Sequence, residues 1–370
     1  MIQQINDFYK NLSSSFSEHS IHYFCLTILA ISMIIIAISM YRKTSSDNIN
    51  CYKIENANSN KSPGVRSIDK AGTYKFRDYY VKTAYNACAS GQFKNDFMNT
   101  CALENVIKQG ARCIDFQIYS LDDEPVVAAS SVKDFKIKET YNSVKLRHAL
   151  KIIKERAFVW GDCPNPEDPL ILHFRIMSNN KKMYDKMALM LSEILSDRLL
   201  NPSYSYKRSE GSIGSIILSD LNKKVVIIVD ESNKFFETTK LDELVNMTSG
   251  STAMSSRRYD DVKYNDDPDD TIQHNKINIT IVLPDLSISN KNHNAQVAWD
   301  YGCQFVAMCF QNLDNNMKNY NSMFSEKSSA FVLKPDYLRD TTASDTTTQD
   351  TSSYIYTPKT VTKDFYNFEL

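Results

Sequence analysis

Histidine and cysteine are the side chains in this sequence with the widest chemistry, because they move protons, bind metals and act as nucleophiles. The 370 residues include 6 histidines and 8 cysteines. His173 and Arg175 alternate in the apolar run LILHFRIM, so both side chains lie on one face of a predicted strand. We interpret His173 as a buried, hydrogen-bonded residue of the core.

The cysteines do not show the spacing of a metal or redox site. The sequence contains no C-x-x-C pair, which argues against a zinc ribbon or a thioredoxin-like motif. Cys25 lies in an apolar run, and this leaves an odd number of cysteines in the rest of the chain. We therefore expect reduced and mostly buried thiols, as in a reducing compartment.

The composition is that of a globular protein, with 42% hydrophobic and 24% charged residues and a net charge of -1. This near-neutral balance argues against a nucleic-acid partner, which would require a basic excess. The 18 Phe and 21 Tyr residues exclude a wholly disordered chain. The length suits two domains, or one barrel with appendages.

Residues 21–41 form an apolar segment without a charged residue, IHYFCLTILAISMIIIAISMY. As a helix it would span about 30 Å, so it predicts a single transmembrane helix after an N-terminal tail at 1–20, with the lipid bilayer as partner. A cleaved signal peptide is the alternative, although its apolar region would be shorter, about 7–15 residues. Arg42 and Lys43 follow directly, which favours a cytoplasmic or interior-facing position for the C-terminal part.

The rest of the chain alternates apolar strands with amphipathic helices. Residues 42–74 are polar and predict a tether, after which LILHFRIM and KVVIIV have the composition of buried strands. A polar stretch at 232–275 predicts a partly disordered linker, and the Thr- and Ser-rich residues 341–370 predict a flexible tail. The alternation predicts an α/β fold, either an open parallel sheet or a closed barrel.

The C-terminal stretch identifies a family. WDYGCQFVAMCFQNLDNNM followed by SAFVLKPDYLR, from Trp299 to Arg339, resembles the Y-box of eukaryotic-type phosphoinositide-specific phospholipase C. GARCIDFQIYS and DPLILHFRI resemble the X-box of the same family. The resemblance implies a (β/α)8 TIM-type barrel split by a linker, with the X half at 75–231 and the Y half at 276–340, and with the chemistry at the carboxyl ends of the strands.

The resemblance also implies a reaction. The family cleaves a phosphodiester by general acid–base catalysis with two histidines and a calcium ion. In this chain the two histidine positions are occupied by Tyr85 and Ala129. A general acid or base contributes about 10²–10⁴ in rate, and neither residue can act as one near neutral pH.

The calcium-ligand positions of the family are changed as well. Asn86 is retained, Asp115 replaces a glutamate, Gln117 replaces an aspartate and Arg175 replaces a glutamate. Calcium prefers 6–8 oxygen ligands, several of them anionic. Our hypothesis is that Arg175 pairs with Asp115 and occupies the space that calcium would fill, so we expect no cofactor unless the calcium site is retained.

The positions that contact the substrate in the family are also occupied by different residues. The phosphate-binding lysines fall on Ile228 and Asp230, and the arginine and tyrosine that grip the head group fall on Ile281 and Leu283. We therefore expect a membrane-anchored, inactive phospholipase C-like protein that acts as a binding or structural module, with an unknown protein as a possible partner. The alternatives are an active phosphodiesterase with a rearranged site, for example one using His293, and lipid head-group binding without hydrolysis.

Overall fold

Strands and helices of this chain wind into a nearly closed barrel in the computed structural model. The structure describes residue 3 and residues 18–58, 64–68, 73–133, 137–208, 213–341, 360–363 and 366–369. The strands are β1 (Tyr79–Ala84), β2 (Cys113–Leu121), β3 (Glu124–Ala128), β4 (Val144–Lys145), β5 (Leu170–Ile176), β6 (Val225–Asp230), β7 (Met247–Ser249), β8 (Met254–Arg258), β9 (Ile279–Leu283), β10 (Phe305–Met308) and β11 (Phe331–Leu333).

Eight helices accompany these strands in the described ranges. They are α1 (Glu18–Asn58), α2 (Thr100–Lys108), α3 (Leu146–Arg156), α4 (Lys181–Leu195), α5 (Tyr259–Lys263), α6 (Pro268–Ile277), α7 (Ala295–Asp300) and α8 (Asn315–Glu326). Several begin at an asparagine or aspartate that accepts a hydrogen bond from the first turn, such as Asn99 before α2 and Asn180 before α4.

The barrel strands follow the hydrogen-bonded order β7-β6-β5-β2-β1-β10-β9-β8, and each neighbouring pair along this order is parallel. Strand β3 pairs antiparallel with β2, and β11 pairs antiparallel with β1. The eight-stranded barrel expected from the resemblance is confirmed. Its strand ends meet at one mouth, where the carboxyl ends of β1, β2, β5 and the others converge.

The core lies on both faces of the strands. All seven residues of β5 are buried, because the barrel interior covers one face and helices cover the other. Helix α4 buries a stripe that includes Met187 and Leu191, so its methionines pack in the core. Phe116 and Phe174 stack on neighbouring strands with ring centroids 5.9 Å apart.

The prediction of a linker at 232–275 is wrong. This segment contains barrel strands β7 and β8 and helices α5 and α6. Neither strand forms an apolar run, since β7 reads MTS and β8 reads MSSRR. Their positions are set by pairing with apolar neighbours, with Ile228 opposite Met247 and Met254 opposite Ile279, and such tertiary contacts override local composition.

The prediction of a tether at 42–74 is also wrong in its first part. Helix α1 does not end with the apolar segment 21–41 but continues to Asn58. It is the one helix in the described residues that is long and apolar enough to cross a membrane, judged by length and composition. Its polar end forms because it packs on α2, where Cys51 and Cys101 are joined in a disulfide.

This disulfide corrects the expectation that the thiols are all reduced. The six other cysteines are free, and all of them except Cys25 are buried. The pairing was not visible in the sequence because the two cysteines meet only once α1 lies on the barrel.

The last residues form a separate unit, 340–370. Strands β12 (Thr360–Lys363) and β13 (Tyr366–Glu369) pair antiparallel in it, so the predicted flexible tail at 341–370 contains a hairpin. These strands are rich in β-branched and aromatic residues, which favour extended backbone. Residues 342–359, and most of the predicted N-terminal tail at 1–20, lie outside the described residues.

Candidate functional site

The mouth of the barrel holds a cavity of about 360 Å³. Side chains from six strands line it, namely Gln117, Arg175, Asp230, Ser249, Arg257 and Leu283. Cations and anions are mixed around the rim, with Lys133, Arg257 and Arg258 beside Asp230, Glu231 and Asp261. The rim therefore carries no single-sign field of the kind that attracts a multiply charged ligand.

A buried ion pair lies at the floor of this cavity. The Nε and Nη2 atoms of Arg175 donate to the two carboxylate oxygens of Asp115 at 2.9 and 2.8 Å. Burial by itself would raise the pKa of Asp115, but the guanidinium of Arg175 and the hydrogen bond with His173 hold it well below its ordinary value. The carboxylate in turn keeps the pKa of Arg175 above its ordinary value despite burial. Both groups are therefore charged throughout the physiological pH range.

The end of β1 completes the surroundings of the pair. Arg175 Nη2 also donates to Oδ1 of Asn86 at 2.7 Å, and the backbone N–H of Asn86 donates to Asp115 at 3.0 Å. Asn86 has a φ of 43°, a left-handed conformation that asparagine tolerates better than most residues. The Tyr85 ring lies 4.6 Å from the Arg175 guanidinium carbon, a cation–π distance.

His173 lies on the other side of Asp115. Its Nδ1 is 2.7 Å from Asp115 Oδ1 and its Nε2 is 2.8 Å from Ser249 Oγ. The side chain is fully buried, and both ring nitrogens have partners. His173 is thus the hydrogen-bonded core residue that the strand pattern predicts. Ser249 was missed because it falls in the segment predicted as a linker.

Gln117 lies in β2 opposite Ala128, the last residue of β3, and Ala129 follows directly after that strand. The Gln117 amide donates to Tyr119 Oη at 2.9 Å, and its carbonyl accepts from the Ser130 N–H at 3.3 Å. Ala129 is buried, and its backbone carbonyl accepts from Glu139 at 3.0 Å. The Gln117 amide is thus held by neighbours on its own sheet.

The four positions that correspond to substrate contacts in the family fall into two groups. Asp230 and Leu283 line the mouth cavity, whereas Ile228 and Ile281 are fully buried in strands β6 and β9. Asp230 accepts the Ser232 N–H at 2.9 Å. An aspartate at the rim opposes a phosphate by charge, so these four positions do not form an anion site.

Two arginines at the mouth were missed by sequence reasoning. Arg258 Nη1 donates to the Pro284 carbonyl at 2.7 Å, and Arg257 Nη1 donates to Thr271 Oγ1 at 3.2 Å. Both belong to the segment predicted as a linker, and a strand pattern recognised there would have placed them at a strand end.

The residues present do not fit a calcium ion. The oxygens of Asp115 and Asn86 that would face a cation accept hydrogen bonds from a guanidinium instead. Calcium needs 6–8 oxygen ligands. Within the part of the chain that the structure describes, no group of three or more His, Cys, Asp or Glu side chains could hold a metal ion.

His293, the histidine weighed for a rearranged site, lies elsewhere. Its ring stacks on Tyr259 with centroids 4.3 Å apart, and the residues that line the mouth cavity do not include it. Burial lowers the pKa of His293 to about 4, so the imidazole is neutral near pH 7.

Comparison with known proteins agrees with this architecture. The phosphatidylinositol-specific phospholipase C X domain matches residues 73–231, and the Y domain of the same enzymes matches residues 222–337. The Y-domain match begins before the segment predicted as a linker and includes all of it.

Individual relatives are similar over part of their length. The rat 1-phosphatidylinositol 4,5-bisphosphate phosphodiesterase zeta-1 is 32% identical over 132 residues, 35% of this chain and 19% of the relative. The human inactive phospholipase C-like protein 1 is 21% identical over 325 residues, 75% of this chain and 28% of the relative. This chain thus spans less than a third of either relative.

Among solved structures, that of PLC21 from L. pealei superposes with a TM-score of 0.59 at 22% identity, over 72% of this chain and 38% of that one. This likeness supports the fold alone. The matched X and Y domains overlap at residues 222–231 and together cover residues 73–337, which contain the barrel. The chain belongs to the phosphatidylinositol-specific phospholipase C family.

Proposed function

We propose that this protein is a membrane-anchored, catalytically inactive member of the phospholipase C family that acts as a binding or structural module. The observation that carries the proposal is the buried ion pair between Arg175 and Asp115 at the floor of the mouth. A guanidinium there competes directly with any divalent cation for the same oxygens. Removing either charge would leave the other buried without a partner, so the pair is a structural feature of the floor.

Two further features support inactivity. Tyr85 and Ala129 stand where the resemblance places the family's proton-moving histidines, and neither side chain is an imidazole. His173 contacts the pair, and its two ring nitrogens are hydrogen-bonded to Asp115 and Ser249 in the interior. The relative named inactive phospholipase C-like protein 1 indicates that the family tolerates such a loss.

Membrane anchoring rests on the apolar half of α1. The candidate span begins at His22, and its most apolar window has a mean hydropathy of 2.4, with none of that window buried against the barrel. An exposed stretch of this length and composition is stable when lipid covers it.

The side of the membrane follows from two opposing signals. Arg42 and Lys43 after the span favour a cytoplasmic barrel, whereas the Cys51–Cys101 disulfide is typical of an oxidising compartment. A single span with few flanking charges is easily reoriented. Our proposal therefore places the barrel on the oxidising side, opposite to the expectation from the charges.

The test of inactivity uses the full chain reconstituted in vesicles that contain phosphatidylinositol and its bisphosphate, with calcium added. Release of water-soluble head group is measured beside a relative that retains both histidines. We expect that no more head group is released than from vesicles without protein, and that titration calorimetry detects no heat of calcium binding. Calcium-dependent turnover by this chain would overturn the proposal in favour of a phosphodiesterase with a rearranged site.

A further inference from the structure

Helix α1 joins two different environments in one continuous element. Between Tyr23 and Tyr41 its large apolar side chains are 49–74% exposed, and from Asp47 onward the helix packs on the barrel. The helix runs without interruption from Glu18 to Asn58, so the position of the docked half fixes the direction of the apolar half.

Three successive turns of the docked half are attached to the barrel. Asn99 donates to both carboxylate oxygens of Asp47 at 3.0 and 3.1 Å, and Asn50 donates to Asp96 at 2.8 Å. Cys51 is bonded covalently to Cys101. One turn later Ile54 is buried, with 4% of its surface exposed. Polar, covalent and apolar contacts along one helix face prevent it from swinging freely.

The attachment lies at the mouth end of the barrel. Residues 96–101 connect the carboxyl end of β1 to the first turn of α2, and the carboxyl ends of the strands form the mouth. The chain after α1 lies at the opposite end, the base. There Ile68 donates its N–H to Asp168 at 2.7 Å, just before β5 begins.

This order gives the direction of α1. The chain meets the mouth at Asp47 and reaches the base by Ile68, so the docked half of α1 runs from mouth to base. The apolar half precedes Asp47 and therefore extends beyond the mouth, away from the base. At 1.5 Å per residue, Tyr41 lies only about 9 Å from Asp47 along the helix.

Loops at the mouth carry exposed apolar side chains. Val132 is 48% exposed, Leu286 44% and Ile288 49%. Val132 and Leu286 also line the mouth cavity. Apolar groups on a rim that lies this close to the end of a membrane span face the interfacial layer of the lipid.

We propose that α1 is a covalently fastened strut that holds the barrel mouth against the same bilayer that α1 spans. This inference rests on the membrane insertion in the proposed function and adds to it a fixed orientation.

The experiment compares two labelled positions in the full chain with Cys25→Ser, reconstituted in vesicles that contain lipids with nitroxide-labelled head groups. A fluorophore is attached at Ile288→Cys on the mouth rim or at Trp160→Cys, a 65% exposed residue in the loop before β5 at the base. We expect the label at 288 to be quenched several-fold more than the label at 160. Replacing Cys51 and Cys101 by serine should reduce that ratio toward one.

Circular dichroism of the double serine variant checks that it folds. If it does not fold, Asp47→Leu, which removes the hydrogen bonds with Asn99, is used as the loosening change instead. Equal quenching at the two positions in the oxidised protein, with the chain retained after an alkaline wash, would overturn the strut and leave anchoring intact. Release of the chain by that wash would overturn both.

Discussion

The guanidinium carbon of Arg175 lies 4.6 Å from the ring centre of Tyr85. The resemblance to the family places Tyr85 at the position of a catalytic histidine and Arg175 at that of a calcium-binding glutamate. The two replacements therefore touch each other and stabilise one arrangement. The ring covers the face of a cation whose edges are bound to Asp115 and Asn86.

This contact predicts energetic coupling. In a double-mutant cycle of Tyr85→Leu and Arg175→Met, we expect a coupling free energy of about 0.5–2 kcal/mol, the usual range for a cation–π contact. Urea unfolding of the detergent-solubilised full chain measures it. Tyr264→Leu is the matched control, because Tyr264 is 67% exposed, and it should combine additively with Arg175→Met. Additivity of the Tyr85 pair would contradict the contact.

The ion pair itself predicts a larger loss. Arg175→Met leaves the Asp115 carboxylate buried without its partner, which costs about 3–5 kcal/mol of unfolding free energy. The control is Arg147→Met, because the Arg147–Glu193 pair is 42% and 47% exposed and is worth at most about 1 kcal/mol. Adding Asp115→Leu to Arg175→Met should recover much of the loss, and a double variant as unstable as the single one would argue against this account.

Calcium binding is predicted to depend on removal of the guanidinium. Arg175→Glu with Gln117→Asp places three carboxylates around Asn86, a set that suits a hard divalent cation. We expect calcium to raise the melting temperature of this variant and to leave that of the wild type unchanged. Differential scanning fluorimetry with calcium and with a chelator distinguishes the two, and a calcium-dependent shift of the wild type would refute the competition between arginine and metal.

Lys82 predicts a dependence of stability on pH. It is fully buried with Nζ donating to the Gln109 carbonyl at 2.7 Å, and burial lowers its pKa to about 7. Between pH 7 and 8.5 the unfolded chain holds a proton that the folded chain has lost, so this residue makes stability rise with pH, by about 2 kcal/mol over that interval.

The measurement compares the wild type with Lys82→Met at several pH values in this window, so that thiol ionisation affects both proteins alike. The unfolding free energy of the wild type should increase by that amount relative to that of Lys82→Met as the pH rises. Lys151→Met, on the exposed face of α3, should differ from the wild type by a constant amount. A constant difference for Lys82→Met as well would mean that Lys82 remains charged in the folded protein.

The disulfide predicts a simple count of thiols. Under denaturing conditions the oxidised chain should react with six maleimide groups and the reduced chain with eight, because Cys51 and Cys101 are paired and six cysteines are free. Reduction should lower the unfolding free energy by about 2–5 kcal/mol. Cys25→Ser, which lies in the apolar segment, should lower both counts by one and leave stability unchanged. Eight reactive thiols in protein isolated without reductant would contradict an oxidising location.

Much of the barrel could be predicted from the sequence because its strands are apolar runs. The core strands β5 and β6 have this composition, and the neighbourhood of Arg175 and Asp115 follows from their positions on paired strands β5 and β2. The ion pair between these two residues could be predicted for the same reason. The carboxyl ends of parallel strands meet at one place whatever the loops between them do.

The remaining features depend on contacts between distant parts of the chain. Strand β7 has three residues and no apolar run, so its position depends on pairing with β6. For this reason the sequence did not reveal Ser249 as a residue of the site. Similarly, the polar residues 45–58 have the composition of a tether and form a helix because Cys51, Asp47 and Asn50 find partners around α2. Composition describes a segment by itself, and these segments take their structure from what they touch.

Strands β7 and β8 stand at the two ends of the hydrogen-bonded strand order, and only residues 250–253 connect them. The barrel is thus a rolled sheet whose two edges are joined at this turn, where the Gly250 N–H donates to the Met254 carbonyl at 2.7 Å. Transient opening of the folded protein should begin at these edges. Amide protons of Met247, Thr248 and Ser255 would then exchange with solvent sooner than those of β2 and β5, far around the circumference.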